Sequence, residues 1–272
     1  MKKVILFSLF HFFLLLGFSQ QKSKDVTILC WGTDYSSYPE VLNGKVKEIM
    51  SNSYWAVEKN GQVEKGALLT LKDHNDQSFL SDFHAFYNNS GVLIRHDYLG
   101  DNSKVNWSHV NEITNNRVTK ENWVRNDSVI GYALFHYNKN GFITDIPMHS
   151  TVPDSSNGKL VLTCDENGNM TKMLYYNSRN VFISRSEYKW NKAGRMIHAE
   201  DFLANDSLQS KLEIAYNDHS FYDKIKYNDG KGKIIFDASI SYKYDEKGNW
   251  TEAIWSKTGK PWIIVKRTYK YF

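Results

Sequence analysis

The chain is 272 residues long, carries a formal charge of +4 at neutral pH and has no block of like charge. That balance excludes a nucleic-acid partner, because displacing counterions from phosphates requires lysines and arginines concentrated on one face. Aromatic residues make up 15% of the chain against only 4 prolines, a composition suited to pleated, half-buried surfaces and therefore to sheet.

The first residues read as an export signal. Lys2 and Lys3 precede an apolar run from Val4 to Phe18 that ends in the small-residue pattern Gly17-Phe18-Ser19, so residues 1–19 form a signal peptide cleaved after Ser19. The run is shorter than the roughly 20 residues that cross a bilayer. Nothing downstream approaches that length, so no membrane span is expected and the mature chain belongs in the periplasm, at the cell surface or outside the cell. Residues 20–272 contain no linker and read as a single domain. Cys30 and Cys164, the only cysteines, either pair in an oxidising compartment or remain separate thiols, and neither has Cys-x-x-Cys or metal-ligand spacing.

Gly44 to Tyr54 reads as a first strand. Beyond it one turn word recurs: an aromatic residue, Asn or Asp, two further residues and Gly. It stands as Tyr87-Asn88-Asn89-Ser90-Gly91, Tyr137-Asn138-Lys139-Asn140-Gly141, Trp190-Asn191-Lys192-Ala193-Gly194 and Tyr244-Asp245-Glu246-Lys247-Gly248, and with cysteine in the aromatic slot as Cys164-Asp165-Glu166-Asn167-Gly168. Val57-Glu58-Lys59-Asn60-Gly61 and Tyr227-Asn228-Asp229-Gly230 are weaker copies. Asn or Asp accepts local backbone hydrogen bonds at the start of a turn and Gly takes the positive φ that ends it, so Gly91, Gly141, Gly168, Gly194 and Gly248 each mark a hairpin tip. Further polar clusters at 100–103, 126–128, 177–180, 205–207 and 257–260 read as the opposite turns of a meander. Between turns the period is two: Phe236, Ala238, Ile240, Tyr242 and Tyr244 alternate with Asp237, Ser239, Ser241 and Lys243. The expected fold class is all-β. Tandem antiparallel β-hairpin repeats form one long twisted meander sheet, which either stays open or curls into an open barrel.

These words resemble the Tyr-Asp repeats of Rhs-type proteins and, more closely, small secreted bacterial proteins built from degenerate versions of them. The ending is the most specific part: 244–251, then Gly259-Lys260-Pro261, then Arg267 and the terminal Tyr269-Lys270-Tyr271-Phe272, while Asn43-Gly44-Lys45-Val46-Lys47 looks like the first strand. The likeness covers residues 40 to 272 and implies a hairpin-repeat scaffold; it brings no catalytic residues with it.

The chemistry-bearing motifs are few. There is no Gly-x-Ser-x-Gly, His-Glu-x-x-His, phosphate-binding Gly-Lys-Ser/Thr loop or Gly-x-Gly-x-x-Gly after a strand, and Gly230-Lys231-Gly232-Lys233 reads as a hairpin tip. The histidines are scattered singly, so a metal or acid–base site requires convergence from several strands. Asp165, Asn167 and Asn169 belong to a turn, since the downstream acidic ligand of a calcium loop is missing. Trp107, Trp123, Trp250, Trp255 and Trp262 are the candidate binding aromatics, with cross-strand packing as the alternative role. Ser128 and Ser207, in the near copies Asn126-Asp127-Ser128-Val129 and Asn205-Asp206-Ser207-Leu208, resemble acceptors of bacterial O-glycosylation. The expected function is that of a non-enzymatic exported repeat protein, without cofactor or metal, presenting a β-sheet surface to an unknown protein or envelope partner. The alternative is a carbohydrate-binding module that uses exposed tryptophans.

Overall fold

A computed structural model describes residues 26–29, 40–77, 82–151 and 157–272. The expected signal peptide and Cys30 lie outside the described residues. Strands β1 (Val26–Leu29) and β2 (Glu40–Asn43) pair with each other. The longest strand, β3 (Val46–Lys59), is followed by β4 (Gln62–Leu68), the short helix α1 (Leu71–Gln77) and β5 (Asp82–Tyr87). Then come β6 (Leu93–Leu99), β7 (Val105–Thr114), β8 (Arg117–Arg125), β9 (Ser128–Leu134), β10 (His136–Tyr137), β11 (Ile143–Ser150), β12 (Gly158–Cys164) and β13 (Met170–Asn177). The chain ends with β14 (Phe182–Trp190), β15 (Met196–Leu203), β16 (Leu208–Tyr216), β17 (Tyr222–Asp229), β18 (Ile234–Tyr244), β19 (Trp250–Lys257) and β20 (Lys260–Tyr271).

The expected open sheet is corrected: from β5 to β20 the chain is an up-and-down antiparallel meander, but β3 pairs with both of its ends and closes a 16-strand barrel. On one side β3 runs in register with β20 from Val46↔Tyr271 to Trp55↔Ile263, and on the other its first half pairs with β5. The second half of β3 pairs instead with β4, and the chain passes through β4 and α1 before returning to β3 as β5. Right-handed strand twist accumulates along a long meander and carries its two edges toward each other, and closure removes the unpaired edges that an open sheet exposes.

The turns follow directly from their residues. Asn88, Asn138, Asp165, Asn177, Asn191, Asn217, Asp229 and Asp245 each accept two backbone N–H groups, from the residues two and four further on, at 2.9–3.1 Å. Three residues after the cap the backbone is left-handed, at Gly91 (φ 75°), Gly141 (85°), Gly168 (83°), Gly194 (69°) and Gly248 (83°), and Asn180 and Ser220 hold the same conformation without glycine. This is a type I turn closed by a left-handed residue, one of the short connections that suit a hairpin. Two placements differ from the sequence reading. The turn lies at 229–232, within one residue of the tip read at 230–233 and two beyond the weak copy at 227–230; Asp229 is the cap and Gly232 takes φ 81°. Gly230 is needed for a different reason, since a Cβ there would lie 1.9 Å from the Leu208 carbonyl oxygen. The weak copy at 57–61 is a two-residue turn in which Asn60 and Gly61 both have positive φ.

All the complete words lie at one end of the barrel, called here the upper rim, and the turns at 60–61, 100–104, 126–127, 177–180, 203–206, 229–232 and 258–259 form the lower rim. Aromatic side chains tie successive upper turns together. Trp190 donates to the Met170 carbonyl (2.7 Å), Tyr216 to Met196 (2.7 Å), Tyr242 to Tyr222 (2.8 Å) and Tyr269 to Trp250 (2.8 Å). Each acceptor lies two residues beyond the left-handed residue of the preceding upper turn; Trp190 and Tyr216 donate from the residue just before a turn cap, whereas Tyr242 and Tyr269 donate from further along their strands. Where the meander meets β2 and β3, the fully buried Asn249 clasps both termini: it accepts from the Asn43 N–H (2.7 Å) and donates to the Asn43 carbonyl and the Tyr271 hydroxyl (2.9 Å each).

Alternation turns one face of every wall inward, where Ile49, Ala85, Leu160, Met173, Ile225, Phe236 and Ile263 are all at most 2% exposed and belong to one continuous core. A circular barrel of this strand number encloses water; here side chains fill the interior. The outer face carries charge ladders such as Lys211–Glu213, Lys172–Glu187 and Lys243–Glu252–Lys266. A bilayer-spanning barrel has the reverse polarity, with apolar side chains outward. No helix among the described residues is long and apolar enough to cross a membrane.

Candidate functional site

One wall of the interior departs from the apolar rule. The pleat turns His96 and Tyr98 of β6, Trp107, His109 and Asn111 of β7, and Glu121 and Trp123 of β8 to the inner face. The registers set Tyr98 opposite Trp107, His96 opposite His109, His109 opposite Trp123 and Asn111 opposite Glu121. Glu121 Oε1 accepts the Trp123 indole N–H (2.9 Å) and lies 3.1 Å from His109 Nδ1. Trp107 stacks on Tyr98 with ring centroids 4.2 Å apart, and His109 meets the Trp107 ring edge-on at 4.6 Å. Gly131 of β9 faces this cluster because a Cβ there would lie 2.4 Å from the Trp123 ring. From β20 the Arg267 guanidinium lies 3.7 Å from the Trp250 ring centroid and 5.5 Å from that of Phe83. Burial, reinforced by His109 and Arg267, holds the His96 imidazole well below its ordinary pKa and so keeps it neutral.

An imidazole beside a carboxylate, as His109 lies beside Glu121, is the raw material of acid–base chemistry. Here it is sealed: His96 is 1% exposed, His109 4% and Glu121 1%. Sequence reasoning named none of these as a site, because four strands had to be set in register before they met. The available signal was weak, a period-two pairing of His109 with Asn111 and of Glu121 with Trp123. A second inward polar group joins Ser186 and Ser210 through Asp201, whose two carboxylate oxygens accept their hydroxyls at 2.5 and 2.6 Å; burial raises the Asp201 pKa while those two bonds lower it. Among the described residues no group of three His, Cys, Asp or Glu is placed to hold a metal ion. Cys164 is a half-buried free thiol, and Asp165 caps its turn by accepting from Asn167 and Asn169.

The candidate tryptophans do not form a platform. Trp123, Trp250 and Trp255 are core residues, 5%, 4% and 3% exposed, which corrects the expectation that they are available for binding. Trp107 and Trp262 are half-buried near the lower rim, Trp107 against Tyr98 and Trp262 beneath the Lys257 ammonium at 3.3 Å. Alternation turns Trp107, Trp123 and Trp255 inward, bulges break the alternation beside Trp250 and at Trp262, and the closed barrel covers the inner face. Ser128 and Ser207 are exposed at lower-rim turns, and the Ser207 hydroxyl donates to Asn205 Oδ1 (2.7 Å).

Exposed apolar groups, in contrast, are concentrated. Among the described residues eleven large hydrophobic side chains are exposed, and eight of them flank lower-rim turns: Val57, Val105, Val129, Val181, Leu203, Leu208, Ile234 and Ile235. Ile94, Ile197 and Phe272 are the other three.

The molecule is thus a closed antiparallel hairpin-repeat barrel with a packed interior, a charged wall and one aliphatic rim. No protein-family model and no curated protein sequence matches the chain. Among solved structures it is similar to a porin-like protein from Bacteroides uniformis ATCC 8492, at 9% identity over 83% of this chain and 98% of that chain with a TM-score of 0.38. A porin-like protein from Bacteroides vulgatus ATCC 8482 matches at 11% identity over 84% of this chain and 99% of that one, TM-score 0.38. The Photorhabdus luminescens Tc holotoxin pore matches at 10% identity over 90% of this chain but 13% of that chain, TM-score 0.28. These likenesses carry no inference about activity.

Proposed function

We propose that the protein is a non-enzymatic, exported binding barrel that engages a partner in the cell envelope through its lower rim. The observation that carries this is the placement of eight of the eleven exposed large hydrophobics beside lower-rim turns. Isolated surface hydrophobics are ordinary, whereas a concentration on one edge marks a contact surface. The His109–Glu121 pair supports the non-enzymatic half of the reading, because a substrate has no route to groups so completely covered. The carbohydrate-binding alternative retains only Trp107 and Trp262, whose rings are already engaged within the protein.

Photo-crosslinking amino acids placed in living cells at Val105, Val181 and Ile235, with Lys189 and Thr268 on the outer wall as comparison, test the reading. Adducts from the rim positions and none from the wall are expected. Equal yields from both sets would remove the rim as the binding surface.

A further inference from the structure

We propose that the part of the lower rim formed by β14 to β18 docks on the surface of an anionic lipid bilayer. The inference rests on the rim-binding reading above and names its partner. Five of the exposed aliphatics are neighbours there: Val181 (52% exposed), Leu203 and Leu208 (37% each), and Ile234 and Ile235 (51% each). The registers make them one group, since Leu203 lies opposite Ser184, Leu208 opposite Phe202 and Ile234 opposite Asn228 on successive strands.

The same turns supply cations. Arg179, Lys231 and Lys233 are exposed, and none of them enters an ion pair among the described residues. Of the nearby acids, Asp206 pairs with Arg185, the Asp229 carboxylate caps its turn by accepting the backbone N–H groups of Lys231 and Lys233, and Asp237 is exposed two residues beyond Ile235. The corner therefore presents aliphatic tips interspersed with three cations that form no ion pair among the described residues, against two such carboxylates, Asp229 and Asp237. This is an excess of positive charge beside apolar tips, of the kind that binds at the headgroup–acyl boundary of anionic membranes. A protein partner fits less well. Protein interfaces are depleted in lysine, and their strongest contacts are Trp, Tyr and Arg in a flat, continuous centre. Here the exposed apolar groups are Val, Leu and Ile on separate hairpin ends with polar turn residues between them, a shape that a soft bilayer surface accommodates and a rigid one does not. The charged ladder Lys211–Glu213 on the wall above keeps contact confined to the rim.

The test is flotation of the processed protein, recovered from the envelope and checked for loss of the apolar leader, with vesicles of phosphatidylcholine alone or with about one third phosphatidylglycerol. Binding to the anionic vesicles that weakens with salt is expected. The Ile234→Asp/Ile235→Asp variant should lower partitioning about tenfold or more, and Lys231→Glu/Lys233→Glu about fivefold or more per cation. Ile94→Asp and Ile197→Asp, away from this corner, should leave it unchanged. All six substituted positions are exposed, and near-ultraviolet circular dichroism checks that the variants fold. No binding to anionic vesicles, or binding that the rim variants do not alter, overturns the proposal. Rim crosslinks to a protein with no vesicle binding would overturn the lipid assignment while leaving the rim as the binding surface, and rim positions that crosslink to nothing in cells would remove both.

Discussion

Replacing Asn249 by alanine removes three side-chain hydrogen bonds at a position with no solvent exposure: one accepted from the Asn43 N–H and two donated, to the Asn43 carbonyl and the Tyr271 hydroxyl. At about 1 kcal/mol net for each bond the loss is about 3 kcal/mol, more if the Asn43 groups stay shielded from water. For a domain of this size that corresponds to a fall in Tm of about 6–12 °C. The Asn249→Asp variant keeps the acceptor for the Asn43 N–H, loses both donors and brings a second carboxylate toward Asp245, whose Oδ2 already accepts the Tyr271 hydroxyl at 2.7 Å. It should be at least as destabilised at neutral pH. Thermal unfolding followed by near-ultraviolet circular dichroism measures both variants. A loss below about 1 kcal/mol for Asn249→Ala would mean that the β3–β20 pairing holds the ring without this clasp, and the role assigned to the terminal word would be wrong.

Two further outcomes follow from the same geometry. Tyr216→Phe and Tyr242→Phe each delete one hydroxyl bond to a backbone carbonyl and should each lower stability in urea by about 1 kcal/mol, adding in the double variant because they tie different hairpins; two silent substitutions would show that the struts are incidental. His96 is held neutral by burial while an unfolded histidine titrates near pH 6.5, so the unfolded chain takes up a proton that the folded one refuses. Stability from this group is complete above about pH 6.5 and falls below it, by up to about 1.4 kcal/mol per pH unit. The His96→Leu variant, which also deletes two ring nitrogens without hydrogen-bond partners, should lose that slope and be no less stable at pH 7.5; an unchanged slope would place the acid sensitivity elsewhere.

The legible part of the fold was the local part. Asn88, Asn138 and Asp245 cap their turns by bonds within four residues, so the chemistry of each reversal is written in adjacent letters. The 229–232 turn was bracketed by two overlapping readings, 227–230 and 230–233, because Gly230 and Gly232 look alike in a sequence, and only the approach of the Leu208 carbonyl to Gly230 distinguishes them. Helix α1 spans seven residues and is too short to show a period, although Thr70 and Asp73 bond reciprocally at its start. For the tryptophans the sequence left binding and cross-strand packing both open, because whether closure would cover them was not a local property.

By itself the sequence determined an all-β chain of antiparallel hairpins with one apolar face, since caps, left-handed glycines and period-two alternation all act over a few residues. The tertiary structure alone decided that the face is sealed. That outcome depends on Val46–Trp55 meeting Ile263–Tyr271 across more than two hundred residues, where pairing is governed by accumulated twist and by the cost of leaving two strand edges bare. The same closure buried His109 with Glu121 and left the aliphatic side chains of one rim facing outward.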